Sequence, residues 1–261
     1  MAYISPVLTA MVNAVKKASV PMMRDFNELE HLQNSLRNDG GFAMHSCQKA
    51  EKILLDELVK FRPSYKVILN AKDTIPASGN FFLVSAIDGY KNFAHGNASF
   101  AISVAMVENN VVIAAVVYSP IYDEMYFAEK GNGAFKEGFR NLERIRVAAQ
   151  KNAAKALITV NADAELLSNV MALTPNIMVT GALSLDLAHV AAGKTDAVVS
   201  SSGSPIEIAA GMLLVKEAGG YVYGLDEHDV RSENLQKTLF GGSIMATNEP
   251  LREKIASINA K

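Results

Sequence analysis

The stretch F-L-V-S-A-I-D-G-Y-K-N-F, residues 82–93, decides the fold. An apolar run ends in the turn signal Asp88-Gly89, and a mixed polar segment follows it. This pattern predicts a buried strand whose end presents polar groups, which is a common position for a site in a sheet protein. The stretch contains a single carboxylate, Asp88, with Ser85 three residues before it. The question is whether this is an active site or what remains of one.

The first half of the chain predicts two helices packed on a sheet of mostly consecutive strands. Apolar spacing predicts helices over Pro6–Phe26 and Cys47–Phe61, with a turn at Asn38–Gly41 between them. The predicted strands are Lys66–Leu69, Phe81–Ile87, Phe100–Val107, Val111–Tyr118, Met125–Ala128 and Gly133–Phe135. The third and fourth strands are separated by Glu108-Asn109-Asn110, which predicts a hairpin and an antiparallel sheet.

The second half alternates strands and helices, which indicates helices packed on a second sheet. The predicted strands are Ala156–Val160, Asn176–Thr180, Thr195–Ser200 and Tyr221–Tyr223. The predicted helices are Glu165–Ala172, Leu183–Ala192 and Ile206–Ala218, the last two followed by glycine. We therefore expect residues 1–145 to form helices plus an antiparallel sheet, and residues 146–261 a smaller α/β subdomain.

Net charge, cysteine content and the length of apolar runs limit the classes of function open to this chain. The formal net charge is −2 and the pI is about 6.2, so the sequence carries no strong signal for direct nucleic-acid binding. The single cysteine, Cys47, rules out an internal disulfide and favours the cytoplasm. The N-terminus resembles an amphipathic helix more than a signal peptide, and no apolar run is long enough to predict a membrane span.

Several motifs resemble, in order and at matching spacing, those of the inositol monophosphatase family, nearest its bacterial SuhB-like branch. They are Asp88-Gly89, Asn92-Phe93, His95-Gly96, Ser119-Pro120, Asp123-Glu124, the run Gly131–Phe135, Leu185–Ala188 and Val190–Gly193, and the run Pro205–Gly220. The resemblance implies an α+β fold, the five-layered α-β-α-β-α sandwich shared with fructose-1,6-bisphosphatase. It also implies a homodimer and Mg²⁺-dependent hydrolysis of a phosphate monoester, which is two-metal chemistry.

The same resemblance assigns metal-ligand positions, and most of them have changed. Asp88 is retained, Ile87 is retained as a backbone carbonyl ligand, and Glu207 is a longer carboxylate in place of Asp. The other three ligand positions of the family hold Ala71, Ser85 and Cys47. Mg²⁺ prefers several carboxylate oxygens in tight octahedral geometry, so these substitutions remove the donors it needs.

The resemblance also assigns substrate and phosphate contacts. They fall at Gly89, Tyr90, Gly181, Ala182 and Ser200, with Asp88 and Tyr90 at the catalytic positions. Tyr90 replaces the Thr that helps to orient water in the family, and Ser200 replaces a Glu that contacts the inositol hydroxyls. Lys72 stands beside the lost ligand position 71, and we expect it to substitute for a metal by pairing with Asp88 or Glu207.

Three functions remain open from the sequence. The first is a catalytically inactive relative that binds or regulates, with a protein partner in transcription or RNA processing. The second is a weakly active phosphatase for inositol or sugar phosphates that uses Asp88, Ile87 and Glu207. The third is a sugar-phosphate or nucleotide binder that uses the helix start at Gly89-Tyr90 as an anion site. Asp88 is expected to cap that helix, and Cys47 is expected to be a buried thiol more than a nucleophile.

Overall fold

The computed structural model describes residues 4–32, 41–76, 78–138, 141–225, 239 and 242–259. The turn predicted at Asn38–Gly41 lies outside these residues, except for Gly41, which begins the second helix. None of the described helices is long and apolar enough to cross a membrane.

The described helices agree with the predicted ones in place and differ in length. They are α1 (Pro6–Leu32), α2 (Gly41–Phe61), α3 (Tyr90–Ala94), α4 (Ala164–Leu173), α5 (Leu183–Ala191), α6 (Pro205–Glu217) and α7 (Arg252–Ala256). α1 continues beyond Phe26 to Leu32, and α2 begins six residues before Cys47. The sequence pattern did not predict bounds for the short helices α3 and α7, because five residues carry too little periodicity.

The strands form two sheets. The first has seven strands in sequence order: β1 (Lys66–Ile68), β2 (Asn80–Asp88), β3 (Ala101–Glu108), β4 (Val111–Ser119), β5 (Glu124–Glu129), β6 (Gly133–Glu137) and β7 (Leu142–Arg144). The second has the order β11-β12-β10-β8-β9, formed by β8 (Ile158–Asn161), β9 (Ile177–Met178), β10 (Ala197–Ser200), β11 (Tyr221–Tyr223) and β12 (Ile244–Thr247). The predicted hairpin is confirmed as β3–β4.

Two features of the sheets differ from the sequence prediction. β1 pairs with β2 in parallel, so the first sheet is antiparallel only from β2 onward. β12 was not predicted, yet it lies between β10 and β11 and is antiparallel to both. Its sequence Ile244–Thr247 has three apolar residues before a threonine, and this run is too short and isolated to stand out in the sequence.

The layers follow the expected α-β-α-β-α order. α1 and α2 pack on the outer face of the first sheet. α5 and α6 pack between the two sheets and contact both. α4 and α7 contact strands of the second sheet, on its other face.

Strand β2 shows why the sandwich forms around the quoted stretch. Phe82 and Val84 join the core beneath α1 and α2, whereas Phe81 and Leu83 join the core that contains α5 and α6. A strand alternates its side chains between the two faces, so a continuous apolar run is needed where both faces are covered. β2 is therefore central to two cores at once.

The division at residue 145 falls just after the first sheet ends at Arg144. Helices α5 and α6 belong to the second half of the chain, but they share one core with strands of the first half. The two predicted domains, 1–145 and 146–261, therefore remain a prediction.

A carboxylate clamp joins α6 to the β5–β6 turn. Glu217 accepts hydrogen bonds from the backbone N–H groups of Gly131 and Gly133, each at 2.8 Å. Both glycines have positive φ, which side chains rarely tolerate, so the turn places its two N–H groups toward one acceptor. The clamp fixes the C-terminal end of α6 against the first sheet.

We expect Glu217→Ala to lower the free energy of unfolding by about 1–3 kcal/mol, because two donors lose a charged acceptor. Glu28→Ala, at an exposed position on α1, is the matched control and should change stability by less than about 0.5 kcal/mol. Urea unfolding followed by circular dichroism measures both. Equal stabilities for the two variants would contradict the clamp.

Candidate functional site at the end of strand β2

The candidate site is built where β2 ends against the start of α5. Asp88 is the last residue of β2 and only 3% exposed. Gly89 follows with φ of 82°, and a Cβ there would lie 2.7 Å from the Ser99 carbonyl oxygen and 3.1 Å from the Ala182 Cβ. Only glycine permits this approach, so the chain brings the Asp88-Gly89 turn into contact with the segment that leads into α5.

The Asp88 carboxylate is bound to the first turn of α5. Its Oδ2 accepts hydrogen bonds from the backbone N–H of Ser184 at 2.6 Å and from the Ser184 hydroxyl at 2.5 Å. The N–H groups of the first turn of a helix have no partner within the helix, so a carboxylate there acts as a cap. We call this pair the Asp88–Ser184 lock.

The lock corrects the expectation that Asp88 caps the helix at Gly89-Tyr90. The N-cap of α3 is Gly89, and no side chain caps that helix. Asp88 instead caps α5, where its partner Ser184 lies 96 residues further along the chain. The hypothesis of an anion site at the start of α3 is weakened by a separate observation, since α3 has only five residues.

A second buried carboxylate lies next to the lock. Asp186 accepts a hydrogen bond from the Thr180 hydroxyl, with both carboxylate oxygens at 2.7 Å from it. Burial raises the pKa of Asp88 to about 7, and repulsion by Glu207 adds to this, against the opposing effect of the Ser184 bonds. Burial also raises the pKa of Asp186 to about 7, with a further contribution from Asp88.

Asn92 connects the three segments around the lock. Its Nδ2 donates to the Ser99 carbonyl and to the Thr180 carbonyl, both at 2.7 Å. Thr180 precedes Gly181, which has φ of 76° and turns the chain toward α5. The motif residue Asn92 therefore positions Gly181 and Ala182, the predicted substrate positions, beside Gly89.

The Glu207 carboxylate stabilises the start of α6, the helix to which it belongs. Its Oε2 accepts hydrogen bonds from the backbone N–H of Ser204 at 2.8 Å and from the Ser204 hydroxyl at 2.7 Å. This is a capping box at the start of α6. The charge of Glu207 contributes to the raised pKa of Asp88, so the two retained carboxylates interact electrostatically.

The lost ligand position at residue 71 holds a side chain with no donor atom, and its neighbour Lys72 does not replace a metal. Ala71 and Lys72 are exposed in the turn after β1. Within the described residues, Lys72 forms no ion pair with Asp88 or Glu207, whose hydrogen bonds go to Ser184 and Ser204, so the expected substitution of Lys72 for a metal is wrong.

Two of the predicted metal-ligand positions, Ser85 and Ile87, lie in β2 shortly before Asp88. Ser85 is buried in β2, directly opposite Ser103 of β3, and Ile87 is buried next to Asp88. A β-bulge separates Ser85 from Asp88, so the two residues do not follow the regular alternation of the strand.

Cys47 and Tyr90 lie near each other on α2 and α3. Burial raises the pKa of the Cys47 thiol to about 12, and the nearby Glu51 carboxylate contributes to the shift. Burial and the Cys47 charge raise the pKa of Tyr90. A nucleophilic cysteine needs a lowered pKa, so the raised pKa argues against Cys47 as a nucleophile, although its side chain is partly and not fully buried.

Ser200 lies at the end of β10 and is fully buried. Its hydroxyl donates to the Ser202 carbonyl at 2.5 Å, so it stabilises its own loop. Gly203 in that loop packs on α5, since a Cβ there would meet the Leu183 Cδ2 at 2.6 Å. The loop therefore closes over the start of α5.

The residues at these positions do not fit the magnesium centre that the resemblance implies. Mg²⁺ sites need several oxygen donors, chiefly carboxylates, that are free to coordinate. In this chain Asp88 and Glu207 are the two carboxylates at family ligand positions, and Oδ2 of the first and Oε2 of the second already accept hydrogen bonds from Ser184 and Ser204. Within the ranges that the structure describes, no three His, Cys, Asp or Glu side chains are grouped so that they could hold a metal ion.

Sequence reasoning missed the partners that define the site. Ser184, Thr180 and Asp186 were not identified as neighbours of Asp88. The available signal was a serine in the first turn of a predicted helix, since polar side chains there often take part in capping.

Comparison with known proteins gives the family. The sequence profile of the inositol monophosphatase family matches residues 4–260. An inositol-1-monophosphatase of Mesorhizobium japonicum is 35% identical, over 96% of this chain and 95% of the relative. A Nus factor SuhB of Xylella fastidiosa is 29% identical, over 83% of this chain and 81% of the relative.

A solved structure supports the same family and gives its fold. The extragenic suppressor protein suhB of Bartonella henselae superposes with a TM-score of 0.85 at 33% identity, covering 98% of this chain and 100% of that one. The chain belongs to the inositol monophosphatase family, and its sandwich is the fold of that family.

Stability should fall as the pH rises through neutrality. Asp88 and Asp186 have an ordinary pKa of 3.8 in the unfolded chain and about 7 when folded, so ionisation favours unfolding between these values. The stabilisation is complete below pH 3.8 and is lost as the pH passes 7. We expect urea unfolding to give lower stability at about pH 8 than at about pH 5, with a smaller difference in Asp88→Asn. An unchanged difference in the variant would contradict the assignment.

Cys47 should react slowly with alkylating reagents at neutral pH, because almost no thiolate exists there when the pKa is about 12. Mass spectrometry after iodoacetamide treatment measures the rate, with the urea-unfolded protein as the control. Labelling of the folded protein as fast as the unfolded protein would show an accessible thiolate.

Proposed function

We propose that this member of the family is catalytically silent toward phosphate monoesters and acts by binding. The observation that supports the proposal is the Asp88–Ser184 lock, in which the retained ligand caps α5. A carboxylate that coordinates Mg²⁺ must be ionised, and burial raises the pKa of Asp88 to about 7, so metal binding here carries an ionisation cost.

The loss of negative charge at the family's ligand positions also supports the proposal. Two opposite unit charges 4 Å apart attract by about 4 kcal/mol in a partly shielded protein environment. Ala71, Ser85 and Cys47 each replace a family carboxylate, so several such attractions are missing for each metal ion. A phosphate dianion gains no compensation, since the two remaining carboxylates near the site would repel it.

A second candidate is weak phosphatase activity on inositol or sugar phosphates. It is favoured by the 35% identity to the inositol-1-monophosphatase of M. japonicum. Asp88, the carbonyl of Ile87, and Glu207 would hold Mg²⁺, and Tyr90 would lie at the position that orients water. In this candidate the metal shares the two carboxylates with Ser184 and Ser204, whose bonds use only Asp88 Oδ2 and Glu207 Oε2.

A protein partner in transcription or RNA processing is part of the proposal. The relative from X. fastidiosa is named a Nus factor, and its similarity extends over most of this chain. A fold that no longer uses its metal ligands can retain a surface for such a partner. We place the protein in the cytoplasm on the basis of its single cysteine.

The test is a phosphate-release assay with inositol 1-phosphate and a panel of sugar phosphates, with and without Mg²⁺. We expect wild-type turnover to equal that of Asp88→Asn at every Mg²⁺ concentration. Circular dichroism confirms that the variant is folded. Mg²⁺-dependent turnover that disappears in Asp88→Asn would overturn the silent assignment and establish the second candidate.

A variant that restores the family's carboxylates provides a second test of the proposal. Ala71→Glu, Cys47→Asp, Ser85→Asp and Glu207→Asp together return the carboxylates that the family uses. We expect this variant, if folded, to bind Mn²⁺ more tightly than the wild type by at least about tenfold. Equal Mn²⁺ affinity in the two folded proteins would show that the substitutions do not set metal binding.

A further inference from the structure

A row of exposed cations follows the end of the first sheet. No acidic residue lies between Glu143 and Asp163, and the stretch 144–155 carries a formal charge of +4 in a chain whose net charge is −2. Cations clustered on one surface mark a site for an anionic partner even where the whole chain is weakly acidic. We call the four exposed side chains of this stretch the basic ridge: Arg144, Arg146, Lys151 and Lys155.

A fifth cation joins the basic ridge from the end of the chain. Lys254 on α7 is exposed, and its Nζ donates to the carbonyl oxygen of Lys151 at 3.5 Å. The ion pairs within the described residues use other lysines and arginines. The positive charge of these five side chains is therefore not neutralised by described carboxylates of the protein.

The backbone of the basic ridge is fixed, although residues 145–152 belong to no helix or strand. Asn248 is buried, and its Nδ2 donates to the carbonyl oxygens of Ala148 at 2.7 Å and Gln150 at 2.9 Å. The Gln150 Oε1 accepts hydrogen bonds from the backbone N–H groups of Lys151 and Asn152, each at 2.9 Å. A surface held in place before binding loses little entropy when a partner arrives.

The side chains of the basic ridge favour a nucleic acid over a protein as the partner. No large exposed apolar side chain lies within residues 141–155. Protein interfaces obtain most of their affinity from aromatic or aliphatic anchors in pockets, and the basic ridge offers none. A phosphodiester backbone instead presents a regular row of negative charges, which lysine and arginine neutralise with release of counterions.

Two amide side chains between the cations favour RNA in particular. The Asn152 Oδ1 accepts a hydrogen bond from the backbone N–H of Ala154 at 3.0 Å, as the Gln150 Oε1 does from its own neighbours. Within the part of the chain that the structure describes, the NH2 groups of both amides remain available as donors. A ribose 2′-hydroxyl accepts such a bond, and DNA lacks that group.

We propose that the basic ridge binds the backbone of single-stranded RNA. The five cations contact phosphates, and the amides of Gln150 and Asn152 donate to ribose 2′-hydroxyls. This activity goes beyond the proposed loss of catalysis and does not depend on it.

The basic ridge is separate from the candidate site. A Cβ on Gly193, just after α5, would lie 3.0 Å from the Arg146 carbonyl oxygen, so the basic ridge passes the C-terminal end of α5. The Asp88–Ser184 lock lies at the other end of this helix. α5 has nine residues, which places the two ends about 13 Å apart. RNA on the basic ridge therefore leaves the lock in place.

Fluorescence anisotropy with a labelled oligouridine of about 20 nucleotides tests the proposal on the full chain, at about 50 mM and about 200 mM salt. We expect the double variant Lys151→Glu/Lys155→Glu to raise the Kd by more than about tenfold, because it replaces two phosphate contacts with repulsion. Each lost contact to a single strand should also make the slope of log K against log salt shallower by about 0.7.

The matched control is Lys52→Glu/Lys60→Glu, which changes the charge equally at two exposed lysines of α2. It should raise the Kd by less than about threefold, because charges far from the RNA are screened by salt. Circular dichroism confirms that both variants are folded.

Four results would overturn the proposal: no RNA binding by the wild type at the lower salt, equal losses in the two double variants, equal affinity for the oligodeoxyuridine of the same length, or displacement of RNA by polyglutamate at equal charge. The third would indicate general binding of nucleic acid, and the fourth an acidic protein partner. The phosphatase assay measures the candidate site, so failure of one proposal is distinguishable from failure of the other.

Discussion

The structure depends on a carboxylate that is buried at the end of its central strand. Asp88 lies where the first sheet meets α5, and a buried charge without partners would cost far more than the fold could supply. Ser184 supplies the partners, because its backbone N–H and its hydroxyl both donate hydrogen bonds to the Asp88 carboxylate. In a metal-binding relative, cations would satisfy such a carboxylate, whereas in this chain the protein itself does so.

The central helical layer makes this solution possible. α5 and α6 contact both sheets, and the first turn of α5 lies at the end of β2. Asp88 caps this turn, and Glu207 closes the capping box of α6. The two residues that the family would use for metal therefore stabilise the start of the two helices that join the sheets.

The sequence predicted local features well and distant partners poorly. The apolar run of β2 and the β3–β4 hairpin carry their own signals within a few residues, and both are confirmed. The partner of Asp88 is 96 residues away, and no local pattern joins them. The capping role of Glu207 was visible, because Ser204 and Glu207 have the capping-box spacing. The resemblance drew attention to the ligand position and away from that spacing.

The most direct test of the central claim is calorimetric titration of the purified protein with Mg²⁺ and Mn²⁺, with and without inorganic phosphate. It requires no assumption about the substrate. The loss of the carboxylates at positions 47, 71 and 85 and the raised pKa of Asp88 predict no saturable heat in the millimolar range, in either the presence or the absence of phosphate. Saturable metal binding that phosphate strengthens would contradict the silent assignment.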